Sequence, residues 1–258
     1  MWIDTHAHLA DVSDAEFMKK LESAKNANVA GVINIGTDLT ESKTVVERSF
    51  WNTPIKTFAV VGICVPESAN FADDGEWIKI LEETASSKNV VAIGETGIDG
   101  AEKSAYPPIE KQMVVFEKQI DLAKKLNKPI VIHSRMLEEK AFEICVSAGM
   151  EKVLFHCFTG NKEIVKKICD RGYFVSFSGI ATFKNSGLDD AIKAANIEQM
   201  LIETDSPWLA PEPYRGKRNE PAFVSFVGEK IAGILDMDKE KFAEITQRNA
   251  EKFFGVVF

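Results

Sequence analysis

The chain has 258 residues, 45% of them hydrophobic, enough for a full core and within the range that α/β barrels fill as one domain. A formal net charge of −8 excludes a surface that attracts nucleic acid everywhere. Any phosphate-bearing substrate must therefore be drawn locally, by bound cations or a few basic side chains.

Along the chain, short apolar runs alternate with amphipathic stretches. The runs are 2–5, 31–35, 57–63, 90–94, 129–132, 152–155, 173–177 and 200–202. They are rich in Val, Ile and Phe and nearly continuous in hydrophobicity, as parallel strands buried on both faces should be. Between them lie helical patterns. Ser13 and Glu16 form a capping box ahead of Phe17, Leu21 and Ala24. Pro107 and Pro108 open a stretch whose apolar stripe is Ile109, Met113, Phe116, Ile120 and Ala123. Ile164 and Ile168 precede Gly172, a helix stop. Two further helices are expected at 222–235 and 239–254. Eight β–α alternations without a composition break predict a single (β/α)8 TIM barrel spanning 1–258. A doubly wound open sheet is the competing fold. It converges strand ends from the whole sequence less readily than a closed barrel does.

No window reaches the ~18 consecutive apolar residues of a membrane-spanning helix. The opening Met1-Trp2-Ile3-Asp4-Thr5-His6 has no basic stretch or signal-like apolar run. Cys64, Cys145, Cys157 and Cys169 show no close CxxC spacing, which argues against a disulfide framework or structural zinc. The expectation is a reduced, cytoplasmic protein with no membrane attachment and no evident obligate protein partner.

All four histidines stand where an apolar run ends. His6 and His8 follow the first run, His133 the fifth and His156 the sixth, while Glu95 ends the fourth and Glu203-Thr204-Asp205 follows the eighth. Neutral imidazole and carboxylate are the ligands of zinc, manganese, magnesium and similar ions. In an extended segment alternate residues face the same way, so His6 and His8 can reach one ion. Glycines at 94 and 97 let backbone approach a crowded site around Glu95, whose carboxylate could bridge two cations. His133 and His156, at the ends of successive strands, would supply a second ion. Asp205, beyond the last strand, takes the chemical role, and Glu203 that of a supporting, hydrogen-bonded acid.

The motifs His6-Ala7-His8-Leu9, Gly94-Glu95-Thr96-Gly97-Ile98-Asp99, His133-Ser134-Arg135, His156-Cys157-Phe158-Thr159-Gly160, Ser176-Phe177-Ser178-Gly179 and Glu203-Thr204-Asp205-Ser206-Pro207 occur in order, with Pro213-Tyr214-Arg215-Gly216-Lys217-Arg218-Asn219-Glu220-Pro221 after them. Together they resemble the TatD family of metal-dependent hydrolases and deoxyribonucleases, within the amidohydrolase superfamily, in the branch that retains the HxH pair. The resemblance spans essentially the whole chain. It implies a distorted TIM barrel with its metal centre at the C-terminal mouth. By position, His6, His8, Glu95 and Asp205 would hold one divalent ion, and Glu95, His133 and His156 another. No lysine stands where a carbamylated bridge would be needed, which leaves Glu95 as the bridge. The chain departs from the family at Gly62-Ile63-Cys64-Val65, where Cys64 replaces a histidine, and at Gly100, which replaces an aromatic residue. Both changes bear on specificity more than on metal binding.

Cys64 is either a soft ligand near substrate or a small inert hydrophobe, and the second reading is favoured. Arg135 and Arg215 are candidate phosphate contacts, with Lys217 and Arg218 beside them. The expected activity is metal-dependent phosphodiester hydrolysis, as a 3′→5′ deoxyribonuclease on single-stranded or frayed DNA ends. Cations would lower the pKa of the attacking water to about 7, with Asp205 accepting its proton. The alternatives are removal of D-amino acids from tRNA or a small-molecule amidase or lactonase using the same metal site, and a non-catalytic nucleic-acid or protein-binding module. Retention of every expected ligand argues against the last.

Overall fold

The computed structural model describes residues 1–72, 75–101 and 106–258. Among these, eight strands alternate with helices in the order β1 (Trp2–Ala7), α1 (Asp14–Asn26), β2 (Val29–Gly36), α2 (Leu39–Arg48), β3 (Lys56–Val61), α3 (Ser68–Phe71), α4 (Trp77–Ala85), β4 (Val90–Asp99), α5 (Ile109–Lys125), β5 (Ile130–Arg135), α6 (Glu138–Ser147), β6 (Val153–Phe155), α7 (Lys162–Asp170), β7 (Phe174–Phe177), α8 (Asp189–Ala194), β8 (Met200–Ile202), α9 (Val224–Ile234) and α10 (Lys239–Phe254). The strands pair in parallel and in sequence order from β1 to β8. Closure is made by backbone beyond β8. Ala7 bridges Ser206, the His8 N–H donates to the Ser206 carbonyl at 2.7 Å, and the Asp205 N–H donates to the His6 carbonyl at 3.0 Å. The result is a (β/α)8 TIM barrel rather than an open doubly wound sheet. No helix among the described residues is long and apolar enough to cross a membrane.

Side-chain alternation splits the apolar residues into two layers. Ile3, Ile33, Val60, Val131, Leu154 and Leu201 meet in one cluster, which Phe253 and Phe254 of α10 close. Residues of opposite parity, such as Val32, Val61, Ile132 and Ile202, pack against the surrounding helices. Six different strands can share one cluster only if their inward faces converge on a common axis. Local signals place the helices. The Ser13 side chain accepts from the Glu16 N–H at 3.3 Å, Pro108 immediately precedes α5, and Gly172, with φ +91°, lies two residues beyond α7. The helix expected at 222–235 is shorter, because a 3₁₀ turn at Pro221–Phe223 precedes α9.

Three strands run at least two residues further toward the mouth than their apolar runs. β1 continues to Ala7, β4 to Asp99 and β5 to Arg135, so His6, Glu95 and His133 lie within strands. Backbone pairing continues there because these polar side chains bury one another. Two register irregularities then aim them. One lies between Asp4 and Ala7, so that Ile3 packs in the inner cluster while Ala7 packs toward the helices. Another lies between Ile93 and Thr96, and it turns Glu95 into the mouth cavity although Ile93 packs outward. Such bulges re-aim side chains at barrel rims. Gly97, at φ +138°, makes this possible because a Cβ there would overlap the His133 carbonyl.

A buried acid locks the seam. Asp4 is fully buried on β1; Oδ1 accepts from the Thr204 N–H at 2.8 Å, and Oδ2 lies 2.6 Å from the Thr204 hydroxyl. Burial raises its pKa from 3.8 to about 8, overriding the Thr204 hydrogen bonds that lower it. A group with a raised folded pKa contributes stability that is complete below its unfolded pKa and is lost as pH rises through the folded one. Denaturation midpoints of the wild type should therefore fall as pH rises from about 4 to about 8 and level off above that. Asp4→Asn, which keeps a neutral partner for Thr204, should flatten that fall, and Asp4→Ala should cost about 1–3 kcal/mol at low pH, where Asp4 is protonated, and less as pH rises. Equal slopes for wild type and Asp4→Asn would show that Asp4 is not the titrating lock.

Candidate metal centre

Six ligand-type side chains from β1, β4, β5 and the segments after β1, β6 and β8 converge at the barrel mouth. His8, Glu95, His133, His156 and Asp205 line one cavity of about 460 Å³, and His6 is fully buried directly behind them. The two oxygens of Glu95 face different partners. Oε2 lies 3.3 Å from His6 Nε2 and 3.5 Å from His8 Nε2, whereas Oε1 lies 3.3 Å from His133 Nδ1 and 3.2 Å from His156 Nε2. Asp205 Oδ1 completes the first side, 3.4 Å from His8 Nε2 and 4.0 Å from His6 Nε2. Asp205 adopts φ +54°, a left-handed conformation uncommon for aspartate. The surrounding seam bonds hold it there, and strain of this kind collects at functional sites.

The rings are fixed from behind. His133 Nε2 meets Asp99 Oδ2 at 2.8 Å, so Nδ1 is left facing Glu95. His156 Nδ1 meets Glu203 Oε1 at 3.2 Å, and Ser176 donates to the other Glu203 oxygen. Glu203 is therefore the supporting acid anticipated from the sequence. His6 and His8 have no such anchor, since the Nδ1 atom of each is buried without a partner among the described residues. Ring packing holds them instead. His6 stacks on His156 with centroids 3.9 Å apart, and His8 stands edge-on to Trp208 at 4.9 Å.

Charge is balanced across this cluster. Burial pushes the Glu95 carboxyl up, yet the neighbouring imidazoles of His156, His133 and His6 outweigh it and hold its pKa well below the usual range. Burial opposes ionisation of Asp205 too, but His8 holds its pKa low. For the imidazoles, burial favours the neutral form. Asp205 and Glu95 override it for His8, Asp99 and Glu95 for His133, and Glu95 and Glu203 for His156, raising all three pKa values. His6 is the exception, lowered by burial and then by the neighbouring His156.

This donor set fits divalent cations. His6 Nε2 and His8 Nε2 point at each other across 3.0 Å, where two neutral rings can share at most one proton. Metal-type groupings appear as His6, His8 and Asp205, as Glu95, His133 and His156, and as His6, His156 and Glu203. Glu203 is already committed to His156 and Ser176, so the first two are the open ones. The first brings together three of the four residues that the resemblance assigns to one ion, and the second all three that it assigns to the other.

The other sequence candidates separate. Arg135 lines the cavity, with Nε and Nη2 each 3.2 Å from Asp99. Cys64 also lines it, but burial and the Glu95 charge push its thiol pKa up, so it is a neutral wall residue. Arg215 is not among the lining residues. Its guanidinium lies over the Phe183 ring at 3.7 Å, and Lys217 stacks on Tyr214 while Arg218 pairs with Asp11 at 3.6 Å. Asp99 and Trp208 were not anticipated. Asp99 stood inside a quoted motif without a role, and its contact with His133 spans 34 residues.

A barrel carrying carboxylates and imidazoles at its mouth is built to hold divalent cations, as the metal-dependent hydrolases are. The family model for TatD-related DNases matches residues 3–255. The uncharacterized metal-dependent hydrolase YabD of Bacillus subtilis is 37% identical, with 99% of this chain and 100% of that protein covered. The uncharacterized metal-dependent hydrolase TatD of Mycobacterium tuberculosis is 31% identical, with 98% of each covered. Among solved structures, YJJV, a TatD homolog from Escherichia coli K12, superposes with a TM-score of 0.90 at 22% identity, over 99% of this chain and 98% of that one. The chain belongs to the TatD family and is a metal-dependent hydrolase.

Because the pKa values of His8, His133 and His156 are raised in the metal-free protein, these rings hold protons more tightly than free imidazole, and metal loading must displace any they carry. Calorimetric titration with Mn²⁺ should release protons, with affinity falling as pH drops from about 8 to about 6. Asp99→Asn, which takes the carboxylate from His133, should weaken binding about 10–100-fold. Unchanged affinity in Asp99→Asn would remove Asp99 from its assigned place.

Proposed function

We propose that this hydrolase cleaves phosphodiester bonds in DNA, as a 3′→5′ exonuclease on single-stranded or frayed ends. One observation carries the reading. Inside a single concave cavity, the carboxylate–imidazole floor lies beside Arg135, the only Arg or Lys lining it among the described residues. A guanidinium is suited to gripping phosphate, and here Asp99 fixes its direction. The name of the matching family, TatD-related DNase, supports the same class of bond.

In this reading His6, His8, Glu95 and Asp205 would hold one divalent ion, and Glu95, His133 and His156 would hold a second. Bound cations supply Lewis-acid stabilisation of phosphate charge and an activated water. Asp205, kept ionised by His8, is ready at neutral pH to accept the proton that the water gives up. Arg135 orients the phosphate, and Asp99 and Glu203 hold the His133 and His156 rings. The buried Cys64 thiol stays protonated and takes no nucleophilic part.

The −8 chain offers no broad basic surface to a long duplex, and the cavity is concave. Cleavage should therefore favour an accessible end and show a shallow salt dependence. Linear single-stranded, blunt duplex and covalently closed circular DNA should be compared with the Mn²⁺-loaded enzyme, with Asp205→Ala as the control. The single strand should be degraded fastest, and Asp205→Ala should lose at least about 100-fold in rate. Cutting of closed circles at the single-strand rate would refute end preference. Inactivity on all three DNAs, with turnover of an aminoacyl ester, would make the protein a deacylase.

A further inference from the structure

The residues that hold a phosphodiester do not explain the most exposed large aromatic group at the mouth. Trp208 is 56% exposed and borders the same cavity as His8, Glu95 and Asp205. Trp2 and Trp77, by contrast, are buried in the core. An indole left in water costs the protein the burial that normally makes tryptophan stabilising.

Although the ring is exposed, its backbone is held on both sides. The Trp208 N–H donates to the Asp205 carbonyl at 3.0 Å, and its carbonyl accepts from the amide of the buried Asn219 at 2.6 Å. The Asn219 amide also donates to the Thr204 carbonyl at 2.8 Å, which ties this loop to the barrel seam. The ring meets His8 edge-on, at 4.9 Å and 65°. With Val65, Pro66, Ile180 and Leu209, it gives the cavity an apolar wall above a charged floor. A ligand filling both regions needs an anionic group and a flat apolar group one linkage apart. A nucleotide has that form, with its phosphate on the floor and its base toward the wall.

We propose that Trp208 is the stacking platform for the base of the terminal nucleotide, making recognition depend on an aromatic base but not on its sequence. The inference rests on the phosphodiesterase reading of the same floor. Stacking on an aromatic side chain is sequence-tolerant because every base has a π-face. Alanine at such a platform should weaken nucleotide binding about tenfold. Phenylalanine, which keeps a smaller π-face, should restore part of that loss.

Binding tests the platform separately from cleavage. Mn²⁺-loaded wild type, Trp208→Phe and Trp208→Ala are titrated calorimetrically with thymidine 5′-monophosphate and with deoxyribose 5-phosphate, which lacks the base. The wild type should bind the nucleotide about tenfold tighter than the sugar phosphate. Trp208→Ala should bind both alike, and Trp208→Phe should fall between. A purely structural role, such as holding His8, would weaken both ligands together and leave their ratio intact. Equal affinities in the wild type, a ratio preserved in Trp208→Ala, or no measurable nucleotide binding each overturns the proposal. Failure to cleave any DNA, with the binding ratio intact, would instead overturn the exonuclease reading and leave the platform standing.

Discussion

A carboxylate taken out of water must find compensating charge or lose its own, and Glu95 satisfies that requirement with four imidazoles. Its two oxygens face two separate pairs of rings. The site therefore has two halves joined by one side chain, and each half depends on the other for charge balance. Fixing such a group in the mouth demands unusual backbone. β4 is irregular between Ile93 and Thr96, and glycines at 94 and 97 admit the approach of β5. The strand is shaped by the carboxylate it presents.

The segments that close the barrel also carry three of the ligand-type side chains at its mouth, His6, His8 and Asp205. Backbone bonds from His8 to Ser206 and from Asp205 to His6 join the first strand to the chain beyond the last one. Asp4 and Thr204 bind immediately below them. The HxH pair and Asp205 are thus brought together by the fold's own closure, and loosening the seam would move them apart. Asn219 extends the coupling outward through its bonds to the carbonyls of Thr204 and Trp208. Barrel stability and site geometry share one set of contacts.

Much of this was legible in the sequence because burial on both faces makes parallel strands conspicuous as apolar runs. Eight runs gave the barrel, and the polar residues ending them gave the six side chains that the structure brings together. Strand ends were less legible. At the mouth, polar residues such as Glu95 and His133 continue the sheet, so an apolar run stops before the strand does. The bulges in β1 and β4 were invisible because they invert parity without changing composition. Asp99 and Asp4 were missed for another reason, since their partners lie 34 and 200 residues away. Loop charge was the weakest guide. Arg135 reaches the cavity because it continues β5, whereas Arg215 is held over Phe183 outside the cavity lining.

The proposed function depends most on Glu95 standing between two cations. Anomalous scattering from crystals of the enzyme loaded with Mn²⁺ tests this most directly. It should reveal two peaks about 3.5–4 Å apart on either side of the Glu95 carboxylate, one beside His6, His8 and Asp205 and the other beside His133 and His156. A single fully occupied peak that Glu95 does not touch, or peaks remote from these side chains, would contradict it.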